Sequence, residues 1–252
     1  MLQFSRRKLG RSTRQGLSPR LALAVLIALP AAAAVGLLLL AVESSWTPLH
    51  RMDQSVADNL HTQALGHPAW VHAMILVSDY GSPTVMRCGI AVLAVVLWLR
   101  RARRLALWAA ATMIGGAAID ELLKTVVDRA RPVFAHPVAE APGASFPSGH
   151  AFTATLGAGV LLLSVLPLLS RAGKAIAWTV AALIPLAVGY SRIALGVHWV
   201  SDVVAGWLLG VGLLAGLTSA FQIWRREQAL PEVHPVLEGA APEETEKAAH
   251  QP

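Results

Sequence analysis

Residues 21–42, LALAVLIALPAAAAVGLLLLAV, run for 22 positions without one charged side chain. Lipid offers backbone N–H and C=O groups no partner, so such a stretch crosses a bilayer as a helix that satisfies its own hydrogen bonds. About 20 residues at 1.5 Å each cover the hydrocarbon core. Working outward, comparable apolar runs predict spans at 82–99, 105–127, 150–169, 175–190 and 197–223. Residues 69–77 are apolar but too few to cross, and read as an interfacial or re-entrant piece. The expected fold class is all-α: an integral membrane bundle of about six transmembrane helices. The whole composition agrees, since 55% of the 252 residues are hydrophobic and only 14% are charged, an imbalance unlike that of a soluble domain.

The cations sort by side. Arg6, Arg7, Lys8, Arg11, Arg14 and Arg20 precede the first span; Arg100, Arg101, Arg103 and Arg104 join spans two and three. Arg171 and Lys174 join four and five, and Arg225 and Arg226 follow six. With alternating spans all four groups fall on one face, which the positive-inside rule makes cytoplasmic. The first apolar run is longer than a signal-peptide core and no small-x-small cleavage site directly follows it, which favours an uncleaved anchor. Three parts are expected: residues 1–20 as a basic cytoplasmic arm on anionic lipid, 21–228 as the membrane-embedded domain, and the Pro-, Glu- and Ala-rich 229–252 as a disordered cytoplasmic tail. On this reading the net charge of +6 records topology and anion binding rather than nucleic-acid binding. The lone Cys88 can form neither an internal disulfide nor a cysteine metal cluster.

Three blocks carry chemistry, and the charge count puts all of them at the extracytoplasmic end. The first is Lys124 with Arg131-Pro132, the second Pro147-Ser148-Gly149-His150, and the third Ser191-Arg192 with His198 and Asp202. Lys124 and Arg131 share a face, about 10 Å apart, if the helix persists between them; the bland alternative pairs Lys124 with Asp120 or Glu121. Arg129 and Asp128 read as local ion-pairing residues, with Arg129 also able to face an anion. Ser148 is placed to cap a helix beginning near His150, and exposed N–H groups at a helix start bind anions. His198 and Asp202 lie at i,i+4, so the carboxylate can accept from Nδ1 and leave Nε2 free to attack. A carboxylate entering a membrane helix costs about 3 kcal/mol at the centre and less near the interface, which points to a partner and a task. A metal site built from His150, His198 and Asp202 is the competing chemistry, opposed by the repulsion that Lys124, Arg131 and Arg192 would exert on a cation. His50, His61, His67, His72 and His136 read as surface or packing residues. The Gly206/Gly210 and Gly212/Gly216 pairs read as close-packing helix positions.

Taken together the blocks spell K-x6-R-P, P-S-G-H and S-R-x5-H-x3-D, and in order and spacing they resemble the signature of the type 2 phosphatidic acid phosphatase superfamily. The resemblance extends to the six-span layout, over roughly residues 21–223. It implies a bacterial cytoplasmic-membrane lipid phosphatase in which His198 attacks phosphorus to form a phosphohistidine. Asp202 would orient His198, and His150 would protonate the departing oxygen and then activate water. Lys124, Arg131, Ser148, the Gly149 backbone and Arg192 would hold the phosphoryl oxygens, with no metal or other cofactor. The substrate classes implied are undecaprenyl diphosphate, phosphatidylglycerol phosphate and phosphatidic acid, and the partners are that lipid and the surrounding membrane. A lipid phosphotransferase with an acceptor other than water shares this cage. A phospholipid-binding or transport protein without turnover is the alternative from another class.

Overall fold

The computed structural model describes residues 19–250, with side chains from residue 25 onward; the basic arm expected at 1–20 lies outside the described residues for the most part. Helix α1 covers Pro19–Glu43, α2 Thr47–Gly66, α3 Pro68–Tyr80, α4 Pro83–Leu99 and α5 Arg103–Val127. After a long loop come α6 Gly149–Val165, a 3-10 turn Leu166–Leu168, α7 Arg171–Ala194, α8 Val200–Glu227, α9 Pro235–Glu238 and α10 Pro242–Ala249. Local chemistry sets several of these boundaries. Proline opens α2, α3 and α4, where a missing N–H costs nothing. Ser82 and Ser170 cap α4 and α7 by accepting from the N–H groups of Val85 and Gly173.

Six stretches are long and apolar enough to cross a membrane: Val25–Glu43, Pro68–Leu99, Arg103–Val127, Gly149–Leu168, Arg171–Ala194 and Val200–Glu227. The chain is thus a multi-pass membrane protein, as the hydropathy reading expects. The apolar piece at 69–77 belongs to α3, which meets α4 at a break over Gly81-Ser82. A Cβ on Gly81 would come within 2.1 Å of Val188, so only glycine lets this bend lie against α7.

Helix α6 is apolar on every side and almost wholly buried, so it takes the centre, with α4, α5, α7 and α8 packed around it. Helix α8 approaches it closely because Gly206 and Gly210 face Ser148, Ala151 and Thr155 of the α6 region, where a Cβ would clash at 2.8 and 2.5 Å. Gly212 lies against Ala31 of α1, whereas a Cβ on Gly216 would touch nothing, so the second small-residue pair is only half used. Outer helices present Leu26, Leu29, Leu37, Ile114, Ile176 and Leu183 outward, a surface suited to lipid rather than water.

The tail is not disordered, contrary to expectation. Its polar composition hides small residues that dock: Ala240 and Ala241 are fully buried, and Ala240 N–H donates to Leu163 O. Thr245 Oγ1 donates to Ser164 O, and Glu244 accepts from the Leu105 N–H in the first turn of α5, 2.9 Å away. Glu243 pairs with the buried Arg225. Residues 233–249 thereby tie α5, α6, α7 and α8 together at the end where the basic clusters gather, opposite the three motif blocks.

Candidate active site

The C-terminal ends of α5 and α7, the N-terminal ends of α6 and α8, and the 128–148 and 195–199 loops meet at one end of the bundle. Helix α5 stops at Val127 because Asp128 turns left-handed (φ 42°) as its C-cap. The helix therefore does not persist to Arg131, which instead sits in the loop. There Arg131 is a hub: Nε donates to Gly143 O, Nη2 to Pro142 O and Ala144 O, and Nη1 to Val197 O at 2.6 Å. The same Nη1 lies 3.0 Å from His198 Nε2. Nε2 is thus engaged by a donor rather than free, and this acceptor role places the imidazole proton on Nδ1.

His198 is 2% exposed, in a short loop turned by Gly196 (φ 68°), whose face is closed by Phe134. Burial pushes its pKa down to about 4, with Asp202 opposing and Arg131 and Arg192 reinforcing the shift. At neutral pH the ring is a neutral imidazole. Burial likewise lowers the pKa of Arg131, against the pull of Asp202.

Asp202 does stand over His198, but Oδ2 is 3.5 Å from Nδ1, an ion-pair distance rather than a good hydrogen bond. Oδ2 instead accepts from Ser145 Oγ and from Trp199 N–H at 2.9 Å, while Ser145 Oγ lies 3.5 Å from Nδ1. The expected direct contact is replaced by one in which Ser145 bridges. Ser145 precedes the second block by one residue and carries no motif signal of its own. Arg129, expected to pair locally, reaches across the fold to Asp202 and Asp53 instead.

The remaining motif residues gather in the same region. Arg192, His198, Lys124 and Arg131 all act electrostatically on His150, and Arg131 and Arg192 on each other. Gly149 lies against Lys124 and Asp120, so closely that a Cβ would come within 2.8 Å of Lys124 Nζ. Lys124 pairs with Asp120 at 2.9 Å, the bland contact of the sequence reading, while remaining beside the Gly149 turn. Arg192, 8% exposed, donates from Nη1 to Ser78 Oγ of α3 at 2.6 Å, a support no motif announces. Ser148 occupies the N-cap of α6 but makes no side-chain cap bond; its N–H donates to Asp202 O. Among the described residues nine buried side-chain polar atoms have no hydrogen-bond partner, and two of them are donors of the motif blocks: Ser148 Oγ and Arg192 Nε. Unpaired buried donors are costly, and an anion's oxygens are the chemistry that satisfies them. Among the described residues no three His, Cys, Asp or Glu side chains gather as metal ligands; the Asp202 carboxylate is taken up by Arg129, Ser145 and Trp199. Of the other histidines, His61 stacks on Phe134 and His50 packs near Trp199.

Comparison with known proteins follows the same line. Residues 105–226 match the model of the PAP2 superfamily. The chain is 32% identical over 142 residues to an undecaprenyl-diphosphatase of Sulfolobus acidocaldarius, covering 54% of this chain and 64% of that protein. It is 40% identical over 106 residues to phosphatidylglycerophosphatase B of Bacillus subtilis, covering 41% of this chain and 51% of the relative. The aligned stretches therefore span less than two thirds of either relative's length. A crystal structure of a transmembrane PAP2-type phosphatidylglycerolphosphate phosphatase from Bacillus subtilis superposes with a TM-score of 0.65 at 25% identity, covering 73% of this chain and 92% of that one. Residues 105–226 are accordingly a PAP2 superfamily domain, and that stretch holds all three motif blocks.

Proposed function

We propose that this PAP2-domain protein is a metal-independent lipid phosphatase that removes phosphate from a membrane lipid phosphate or diphosphate. The substrate classes are undecaprenyl diphosphate, phosphatidylglycerol phosphate and phosphatidic acid. The observation that carries the reading is the placement of two partnerless buried donors, Ser148 Oγ and Arg192 Nε, in the cluster that holds His198 and His150. A cage of cations and hydroxyls fits a phosphoryl group, and the names of the relatives point to the same chemistry. Because the helices around the site present lipid-like surfaces, the acyl or prenyl chain can stay in the bilayer while the headgroup enters.

In the proposed cycle the phosphoryl oxygens take the donors of Lys124, Ser148, Arg192 and the Gly149 backbone. A phosphoryl oxygen also takes the Arg131 Nη1 donor that now faces His198, which releases the Nε2 lone pair. Nε2 forms a bond to phosphorus as the bond to the lipid oxygen breaks, and His150, having taken up a proton as the negatively charged headgroup enters the cage, gives that proton to the departing oxygen. Water then attacks the phosphohistidine, His150 takes a proton from it, and inorganic phosphate leaves with Nε2 restored. Asp202 stabilises the imidazolium formed between the steps. The cations supply the charge stabilisation.

The distribution of the cation clusters supports, through the positive-inside rule, a site on the extracytoplasmic face of a bacterial cytoplasmic membrane with both termini inside. The experiment is a panel of lipid monophosphates and diphosphates presented to purified protein in detergent with excess chelator, scored by free phosphate. Turnover of at least one class, abolished in His198→Ala, is the expected result. Strict dependence on an added divalent metal, or label passed to a second lipid with little free phosphate, would overturn it.

A further inference from the structure

The phosphate cage leaves one buried charge cluster unexplained: Asp53 on α2, Arg129 in the loop after α5, and Ser201 at the start of α8. Asp53 is wholly buried, and α2 lies outside the stretch that matches the PAP2 domain. Arg129 spreads its fork between two carboxylates, Nη2 to Asp53 Oδ2 at 2.9 Å and Nη1 to Asp202 Oδ1 at 2.6 Å. Nη1 also lies 2.7 Å from Ser201 Oγ, and the guanidinium covers the Trp199 ring with its carbon 5.5 Å from the ring centre. Asp53 accepts a second time from Ser201, through its backbone N–H at 3.0 Å and its hydroxyl at 2.5 Å.

Each bond constrains the dyad. Asp202 Oδ1 is held by Arg129, which leaves Oδ2 to face Ser145 and His198 Nδ1. The first turn of α8, on which Asp202 rides, is held from outside by Asp53. That carboxylate accepts an N–H at the helix start, where negative charge is favoured. Arg129 is the only cation paired with either buried carboxylate among the described residues.

We infer that Asp53 and Arg129 are positioning residues for phosphoryl transfer: acting through Ser201 and Asp202, they fix the orientation of the His198 nucleophile. The helix that supplies Asp53 is thereby part of the catalytic apparatus although it precedes the recognised domain. This inference rests on the phosphatase reading.

The test measures kcat and KM of the full chain on a lipid phosphate that the unaltered protein hydrolyses, per monodisperse molecule. Arg129→Met should lower kcat by about 100-fold and Asp53→Asn by about tenfold, with KM moved little, as expected of residues one step behind the reacting group. Arg129→Lys should recover part of the loss. Arg129→Met leaves two buried carboxylates unpaired and threatens folding, so Asp53→Asn/Arg129→Met is made beside it. The double variant should regain thermal stability over Arg129→Met yet keep its low kcat. Losses confined to folding yield or KM, or a double variant restored in kcat as well as in stability, would overturn the inference while leaving the phosphatase reading intact. Absence of hydrolysis by the unaltered protein on every lipid phosphate would instead remove the reading itself, and the inference with it.

Discussion

The two ends of the helix bundle use the same residue types for opposite purposes. At the basic end, arginines and a lysine meet carboxylates and a carbonyl of the folded tail: Arg225 with Glu243, Arg104 with Glu244, Arg226 with Glu232, and Lys174 with Leu237 O. At the motif end Arg131 and Arg192 make no ion pair among the described residues; they hold neutral carbonyls and a hydroxyl, and keep their charge available. A neutralised arginine fastens a structure, whereas one left net positive beside orphaned donors is suited to an arriving anion. The difference between the ends lies in which partners surround the cations, not in how many cations there are.

The largest expected effect that would sharpen this contrast comes from Arg192→Met, which removes a charge from the cage and should lower kcat/KM by about 1000-fold, as measured by initial rates. At the other end, deleting residues 231–252 strips Arg225 of its buried partner. That change should lower the thermal midpoint by roughly 10 °C while kcat stays near the full-length value. A truncated protein with intact stability but lost turnover would break the division of labour.

Ser145→Ala should lower kcat about tenfold by removing the hydroxyl that bridges Asp202 and His198, with KM little changed, again read from initial rates. The smallest effect is one of pH. The pKa of His198 in the folded protein, about 4, is below its ordinary 6.5, so the unfolded chain binds the proton more readily. The stability this buried neutral ring contributes is complete above 6.5 and is lost as pH falls toward 4. Thermal midpoints over that window should fall more steeply for the unaltered protein than for His198→Gln.

The spans and the three blocks were legible in the sequence because hydropathy and fixed spacing are local properties. What escaped depends on distance in the chain. Asp53 looks like any polar residue of an amphipathic helix until Ser201 and Arg129 are brought to it across 148 and 76 positions. Ser145 has no signature beyond its nearness to Pro147. The free Nε2 expected for His198 is occupied because Arg131 comes from a loop, not from the extended helix that the K-x6-R spacing suggested. Composition conceals the order of the tail, although Pro242 followed by Glu243 and Glu244 is a helix start with acidic residues suited to its first turn.

The most direct measurement of the central claim is rapid quenching of a single turnover with a lipid phosphate labelled in its phosphoryl group. The account predicts transient label on the protein, stable to base and labile to acid, in the peptide that contains His198 and absent from His198→Ala. Turnover with no labelled protein at any time, or with label that survives in His198→Ala, would contradict it.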